Sequence, residues 1–215
     1  MSGILDLLNS DIGRQMISGV SNETRQPVDK TSKVVSMALP LLMGAMKRNA
    51  STPQGASGLM NALNNKHDGS LLDNLGGFFG GGVDDTQKTD GLGILGHVFG
   101  GSQDNVVGAL SQKSGMKSNE VMNILSTLAP IVLGYIGKQK KQQNVSSESG
   151  IGDLLGGLMG GGAQQQKQQS LIESLLDGDN DGSILDDVAG MVFGGGNQQK
   201  KKGGLGGLLG GLFGR

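Results

Sequence analysis

Hydrophobic positions recur at helical spacing in two long segments of the chain. Over residues 28–49 and again over 118–138, apolar residues repeat at intervals of three and four. This spacing places apolar side chains on one face of a helix. We therefore expect two long helices, each with one broad buried face. Each contains a proline, Pro40 or Pro130, which removes a backbone donor and should kink the helix.

Shorter segments with the same pattern predict further helices. They cover residues 3–8, 12–20, 55–64, 104–113 and 170–176. No segment alternates between apolar and polar residues at a period of two, as a half-buried strand would. The fold class is therefore predicted to be all-α, a compact helical domain of several short helices around two proline-kinked core helices.

Glycine and glutamine divide the chain. Forty-one of the 215 residues are glycine, against a usual share of about 7%, and we expect the glycine clusters at 76–82, 91–101, 150–162, 194–196 and 203–214 to stop helices. Glutamine and lysine tracts at 138–143, 164–169 and 198–202 bury too little to order themselves. Four regions are predicted: a helical domain (1–140), a low-complexity linker (141–169), a helix with an acidic loop and a short helix (170–196), and a disordered Gly/Leu-rich tail (197–215).

Two pairs of segments repeat within the chain. MALPLLMGAMK (37–47) aligns with LAPIVLGYIGK (128–138), and each has a glycine, Gly44 or Gly134, four residues after its proline. We expect these glycines to permit close approach of another helix. HDGSLLDNLGGFFGGG (67–82) aligns with NDGSILDDVAGMVFGGG (180–196), which indicates a reused unit of turn, short helix and glycine stop.

The second copy of that unit follows an acidic stretch with the spacing of a calcium loop. Carboxylates occupy positions 1, 3 and 5, and a glycine follows at position 6, as in the first two-thirds of an EF-hand loop. Position 12, which should be a bidentate acid, is Val188. Two interpretations stay open, a weak calcium site and an acidic, solvated helix cap. The candidate calcium ligands are Asp177, Asp179, Asp181, Ser183, Asp186 and Asp187.

The residue types for catalysis are scarce. The chain has no cysteine, which excludes disulfides, zinc–thiolate sites and iron–sulfur clusters. It has two histidines, of which His97 lies among apolar residues and is expected to be structural, while His67 is expected to cap the following turn. No nucleophile elbow, phosphate loop or His-Glu-x-x-His motif occurs. We expect no enzyme activity, no catalytic residue and no cofactor other than calcium.

One segment loosely fits a helix-turn-helix. Residues 106–125 contain two helical patterns with Gly115 in the turn between them. The second helix would offer serine, asparagine and glutamate to DNA and no arginine, and the formal net charge is −1, which gives little attraction to phosphates. A DNA-binding regulator is therefore an alternative that the sequence disfavours.

No segment has the length of a membrane span. The longest smooth apolar stretch, 127–137, is shorter than the roughly 20 residues that cross a bilayer, and the N-terminus lacks the pattern of a signal peptide. A cytoplasmic protein without a transmembrane segment is expected. The glycine–leucine segments at 152–162 and 203–215 favour self-association or contact with a protein partner, and contact with a membrane surface is a further alternative.

Four segments carry a resemblance to a known family. DGSLLDNLGG (68–77), GILGHVFGG (93–101), VVGALSQKSGMKSNEVMNIL (106–125) and LAPIVLGYIGK (128–138) occur in this order. Together they resemble the bacterial family catalogued as domain of unknown function 937, also called YidB-like, over about residues 1–140. The resemblance implies an all-α bacterial domain without an established activity, and it leaves the glutamine-rich segments and the acidic loop outside the family domain. We therefore expect a non-enzymatic helical interaction or scaffold module.

Overall fold

The computed structural model describes residues 4–160, apart from the side chain of Leu5, all within the first of the chain's two compact units, residues 1–175. Within these residues every regular element is helical and there is no strand, so the all-α prediction is confirmed. A single 3₁₀ turn at Gly100–Ser102 accompanies the α-helices. These are α1 (Ile4–Asn9), α2 (Asp11–Thr24), α3 (Val28–Asn49), α4 (Pro53–Asn65), α5 (Ser70–Asp73), α6 (Leu75–Gly80), α7 (Asp85–Phe99), α8 (Gln103–Ser114), α9 (Ser118–Gln142) and α10 (Glu148–Leu158).

The core is built around α9. This helix contacts α2, α3, α4, α5, α7, α8 and α10, and every residue from Ile124 to Gly137 is buried. A helix that is buried on all sides carries apolar residues all round. Among the helices of residues 4–160, only α9 is long and apolar enough to cross a membrane. Of its most apolar 18-residue window, however, 83% is buried inside the domain.

Close helix contacts occur at glycines other than the two expected. A Cβ at Gly44 or Gly134 would meet no atom nearer than 3.9 Å, so that prediction is wrong. A Cβ at Gly91 would lie 1.9 Å from the carbonyl oxygen of Ser126, and one at Gly137 would lie 1.9 Å from that of His67. Gly91 therefore lets α7 lie directly on α9, and Gly137 lets the chain after α4 do the same.

Three of the predicted glycine breaks contain helices instead. The cluster at 76–82 includes most of α6, that at 91–101 forms the second half of α7, and α10 lies within the predicted linker 141–169. Glycine costs about 1 kcal/mol in a helix, whereas each buried leucine contributes about 1.5–3 kcal/mol. The helical domain therefore extends past residue 140, because α10 buries an apolar stripe against α3, α4 and α9. That stripe consists of Ile151, Leu154, Leu155 and Leu158.

A short connection joins α9 to α10. It comprises residues 143–147, with Asn144 in the left-handed region at φ 53°. The backbone N–H groups of Asn144 and Val145 donate to carbonyls of the last turn of α9. The connection therefore turns sharply and places α10 directly beside the core.

Candidate functional site

A groove of about 880 Å³ runs between α4 and α7, and we call it the α4–α7 groove. Its surface is mostly apolar. The floor is formed by Met46 of α3, Leu133 of α9 and Val98 of α7, all buried. Half-buried Leu59 and Ile94 stand on the two walls. Its volume falls in the range of about 300–1,000 Å³ that is usual for ligand sites.

The start of each wall helix is fixed by a side-chain cap. The Thr52 hydroxyl accepts from the backbone N–H of Gly55 at 3.1 Å and begins α4. The Asp84 carboxylate accepts from Gln87 at 2.7 Å and begins α7. Each helix then buries one face in the core, including Met60 of α4 and Leu95 of α7. The remaining flanks of the two helices face each other across the groove.

Asn49 closes one end of the groove. Its side-chain amide donates to the carbonyl oxygens of His97 at 2.8 Å and Val98 at 3.2 Å. These carbonyls lie in the last turn of α7 and have no partner within the helix. We call these two hydrogen bonds the Asn49 clamp. They fix the end of α7 to the end of α3, next to the start of α4.

The other end is closed by an ionic group after α4. His67 Nε2 lies 3.3 Å from one carboxylate oxygen of Asp90, and Lys66 Nζ lies 3.5 Å from the other. The His67 side chain is only 7% exposed, and its burial lowers the pKa of the imidazole, although the Asp90 charge opposes this shift. We call this group the His67 clamp. With the two clamps at opposite ends, α4 and α7 run antiparallel.

Of the two histidines, His67 differs from its predicted role. The turn after His67 is capped by Asp68, whose carboxylate accepts from Ser70 N–H at 3.1 Å, while His67 faces Asp90. His97 is exposed, and its Nδ1 lies 2.8 Å from the Gly93 carbonyl oxygen of the preceding turn. This hydrogen bond satisfies the imidazole within the helix, as expected, while Leu95 and Phe99 of the same helix are buried in the core.

Positive charge lies on the rim of the groove. Arg48 is exposed and has no ion-pair partner among residues 4–160. Lys66 is 71% exposed. Within residues 4–160 the only carboxylate in the lining is that of Asp90, which already faces both Lys66 and His67. The rim therefore favours ligands that carry negative charge.

Two glycines leave space inside the groove. Gly58 on α4 and Gly93 on α7 line it, and a Cβ on either would meet nothing within 4 Å. Neither lies in the left-handed region. Larger side chains could therefore be placed at both positions without backbone strain.

Two hydroxyl groups that line the groove are engaged in local hydrogen bonds to the backbone. The Ser51 hydroxyl donates to the Arg48 carbonyl at 2.6 Å, and the Thr52 hydroxyl caps α4. Within residues 4–160 no group of three or more side chains could hold a metal ion. The absence of enzyme activity stays a prediction.

The predicted calcium ligands fall outside the described residues. The same holds for the helix predicted at 170–176 and for the Gly/Leu-rich tail. The calcium loop therefore stays a prediction. The residues concerned are Asp177, Asp179, Asp181, Ser183, Asp186 and Asp187.

The helix-turn-helix pattern is present in the backbone. Helix α8 ends at Gly115 with φ 68°, and α9 follows. A recognition helix contacts bases through its N-terminal residues. In α9 the residues Ser118, Asn119 and Asn123 are exposed, whereas Ile124 to Gly137 are buried. Glu120 accepts from Lys117 N–H at 2.9 Å as part of the helix cap. DNA binding stays an alternative that the sequence disfavours.

A family model described as bacterial protein of unknown function (DUF937) matches residues 6–139 and 141–215. The match continues past residue 140, so the expectation that the glutamine-rich segments and the acidic loop lie outside the family is wrong. The sequence gives a reason, since SGIGDLL (149–155) repeats SGILDLL (2–8) and 180–196 repeats 67–82. No curated protein and no solved structure matches the chain.

Proposed function

The chain belongs to the DUF937 family of bacterial proteins, and we propose that its helical domain is a non-enzymatic interaction module. Its partner is an amphipathic protein helix with leucine-type side chains on one face and acidic residues beside them. The helix binds in the α4–α7 groove. The observation that carries this proposal is a mostly apolar groove with a polar clamp at each end and a positively charged rim.

The dimensions of the groove fit a short helix. Val98, at the Asn49 clamp, follows Asp90, at the His67 clamp, by eight residues of α7, which corresponds to about 12 Å of helix rise. A helix segment about 10 Å wide and that long encloses about 900 Å³. The groove volume of about 880 Å³ is therefore close to that of two helical turns.

The lining supplies the interactions that such a helix needs. Apolar side chains lowered onto Met46 and Leu133 would each contribute about 1.5–3 kcal/mol on full burial. Gly58 and Gly93 allow the incoming backbone to approach both walls. Amphipathic helices commonly bind in apolar grooves through apolar side chains spaced one turn apart, which we call anchors. Acidic residues beside the anchors would face Arg48 and Lys66.

The chain already contains one helix bound in this manner. Helix α10 packs on α3 and α4 with an apolar stripe, and its first turn carries Glu148. Lys47 lies over it, with Nζ 3.6 Å from the position of a Cβ on Gly156. The surface of α3 and α4 therefore accepts a glycine–leucine helix through its apolar stripe.

The test fills the groove without disturbing the fold. In Gly58→Leu and Gly93→Leu, leucine side chains would occupy the space that the partner needs. Gly108→Leu is the matched control, since Gly108 is also helical and unobstructed but lies on α8, away from the groove. The probe is a synthetic amphipathic peptide of leucine and glutamate, added to the full chain and followed by NMR chemical shifts.

We expect shifts in residues that line the groove and binding at least tenfold weaker in the two filled variants. The control should bind like the unaltered protein. Shifts outside the groove, or equal weakening by Gly108→Leu, would contradict the proposal. Binding of a DNA duplex or of anionic vesicles in place of the peptide would support the alternative functions instead.

A further inference from the structure

We propose that the helix bound by the α4–α7 groove is residues 170–177, SLIESLLD, supplied by a second copy of this chain. This inference rests on the function proposed above and names the partner. The segment lies outside the described residues, so the argument uses its sequence and the structure of the groove.

The apolar pattern of the segment matches the length of the groove. In a helix its four apolar residues would form one stripe over about two turns, the length available between the two clamps. Ser170 precedes them, and serine is a preferred N-cap. The stripe consists of Leu171, Ile172, Leu175 and Leu176.

The charge of the segment is opposite to that of the rim. On a helix of 3.6 residues per turn Glu173 would flank the stripe and Asp177 would follow its last residue, and residues 168–199 contain six carboxylates and no lysine or arginine. Arg48 and Lys66 are the exposed cations at the groove. Electrostatic complementarity of this kind selects partners and sets their register.

The other leucine-rich segment beyond the described residues is a poorer match. Residues 203–215 contain seven glycines and no acidic residue, and three lysines precede them. Each glycine costs about 1 kcal/mol in a helix, and the basic residues would face a positively charged rim. Charge and helix propensity therefore both favour 170–177.

The internal repeats show that this segment has no core helices in its own half of the chain. Alignment of 180–196 with 67–82 places 170–176 at the position of 57–63 in α4, and 149–155 repeats the start of the chain. All four prolines lie before residue 140, so residues 141–215 contain no counterpart of the two proline-containing helices. The second family segment therefore repeats peripheral helices without the core helices on which they pack.

Helix α10 shows how such a peripheral helix is accommodated. It belongs to the second family segment and packs on α3 and α9, which contain the two proline-containing repeats. Met46 and Leu133, from the same two helices, form the floor of the groove. The groove therefore offers residues 170–177 the kind of surface on which α10 packs. Since the segment and the groove are different surfaces, each copy can donate and accept.

The first experiment measures the mass of the full chain by light scattering during size exclusion, over a range of concentrations. We expect the mass to rise above the 22.0 kDa of one chain. A groove variant, Gly58→Leu with Gly93→Leu, and a segment variant, Leu171→Asp with Leu175→Asp, should each stay monomeric. Mixed together, they should form a one-to-one complex, since one retains the segment and the other the groove. Gly108→Leu should associate like the unaltered chain.

A monomeric unaltered chain at every concentration, or a mixture that stays monomeric, would overturn the inference. Charge reversal gives a second test, because a variant that merely fails to fold would not regain association when the partner charge is reversed as well. Arg48→Glu and Glu173→Lys should each weaken association at least fivefold, and the double variant should recover most of it. If the double variant associates still more weakly than either single variant, Arg48 and Glu173 do not form the proposed ion pair.

Peptides separate failure of this inference from failure of the proposed function. The probes are residues 168–178 and the same peptide with Glu173→Lys and Asp177→Lys, each added to the segment variant. The inference is supported if the native peptide shifts the signals of groove residues and binds at least tenfold more tightly than the peptide with the two lysines. Equal binding of both peptides leaves the groove function intact and refutes this partner. No groove shifts with either peptide would refute both proposals.

Discussion

Helix α4 has two flanks, of which one is covered by α10 and the other faces the open groove. On the covered flank, α10 packs against α4 and α3 along a continuous apolar stripe. On the open flank, polar groups hold the ends in place, and apolar surface lies between them. The comparison teaches that apolar surface of the same core contributes to stability where the chain covers it and stays accessible to a partner where it does not.

The largest difference should appear when one leucine is shortened on each flank. Leu155 of α10 is fully buried, so Leu155→Ala should lower the free energy of unfolding by about 3 kcal/mol. Leu59 is half-buried on the groove wall, and Leu59→Ala should cost less than about 1 kcal/mol. Urea denaturation followed by circular dichroism measures both. Equal losses would show that the two flanks do not differ in this way.

Two glycines of α7 sharpen the comparison on one helix. Gly91→Ala would place a Cβ 1.9 Å from the Ser126 carbonyl oxygen, and the resulting shift of α7 should destabilise the fold by about 2 kcal/mol. Gly93→Ala adds a methyl group in open space and should stabilise it by up to about 1 kcal/mol through helix propensity. Thermal unfolding should show opposite changes in midpoint, and changes of the same sign would contradict the assigned packing.

Acidification should loosen the His67 clamp. Burial lowers the pKa of His67 below 6.5, against the opposing charge of Asp90 and with a smaller contribution from Lys66. The folded state therefore binds fewer protons than the unfolded state, so this stability is complete above pH 6.5 and is lost as the pH falls through the folded-state pKa. Unfolding measured from pH 7 to 5 should show the loss, and His67→Gln should reduce it.

The smallest expected effect concerns the acidic loop. If Asp177, Asp179 and Asp181 bind calcium, isothermal titration of the full chain should give a weak heat that is absent in the double variant Asp179→Ala/Asp181→Ala. Because bound calcium would neutralise charge next to residues 170–177, it should also weaken self-association. Identical flat traces for both proteins would remove the calcium loop and leave the acidic-cap interpretation.

Periodicity predicted the long helices well. The predicted helix at 28–49 agrees with α3 at both ends, and α9 begins where the pattern begins and continues four residues beyond it. Burial of one face repeats with the helical turn, so the signal is local in the sequence. The glycine clusters hide α7 and α10, because the low helix propensity of glycine argues against a helix in both segments. In α7 the glycine at position 91 is required by the close contact with α9.

The groove itself had no local signal. Its clamps join Asn49 to the end of α7 and His67 to Asp90, residues far apart in the sequence. Only the fold brings them together, and neither the spacing nor the composition of the chain indicates the pairs. The sequence shows the two glycines that line the groove, Gly58 and Gly93, but it does not show that the space beside them is open. A glycine of this kind can be told from one at a close helix contact only when the neighbouring helix is known.

The five-residue connection between α9 and α10 also sets how each flank responds to the amount of protein. A short tether holds its helix near its binding surface at an effective concentration on the order of millimolar. The flank beneath α10 is therefore occupied at any dilution. The groove has no such tether to a second copy, so its occupancy should rise and fall with cellular abundance, and the same domain would combine a constitutive contact with a concentration-dependent one.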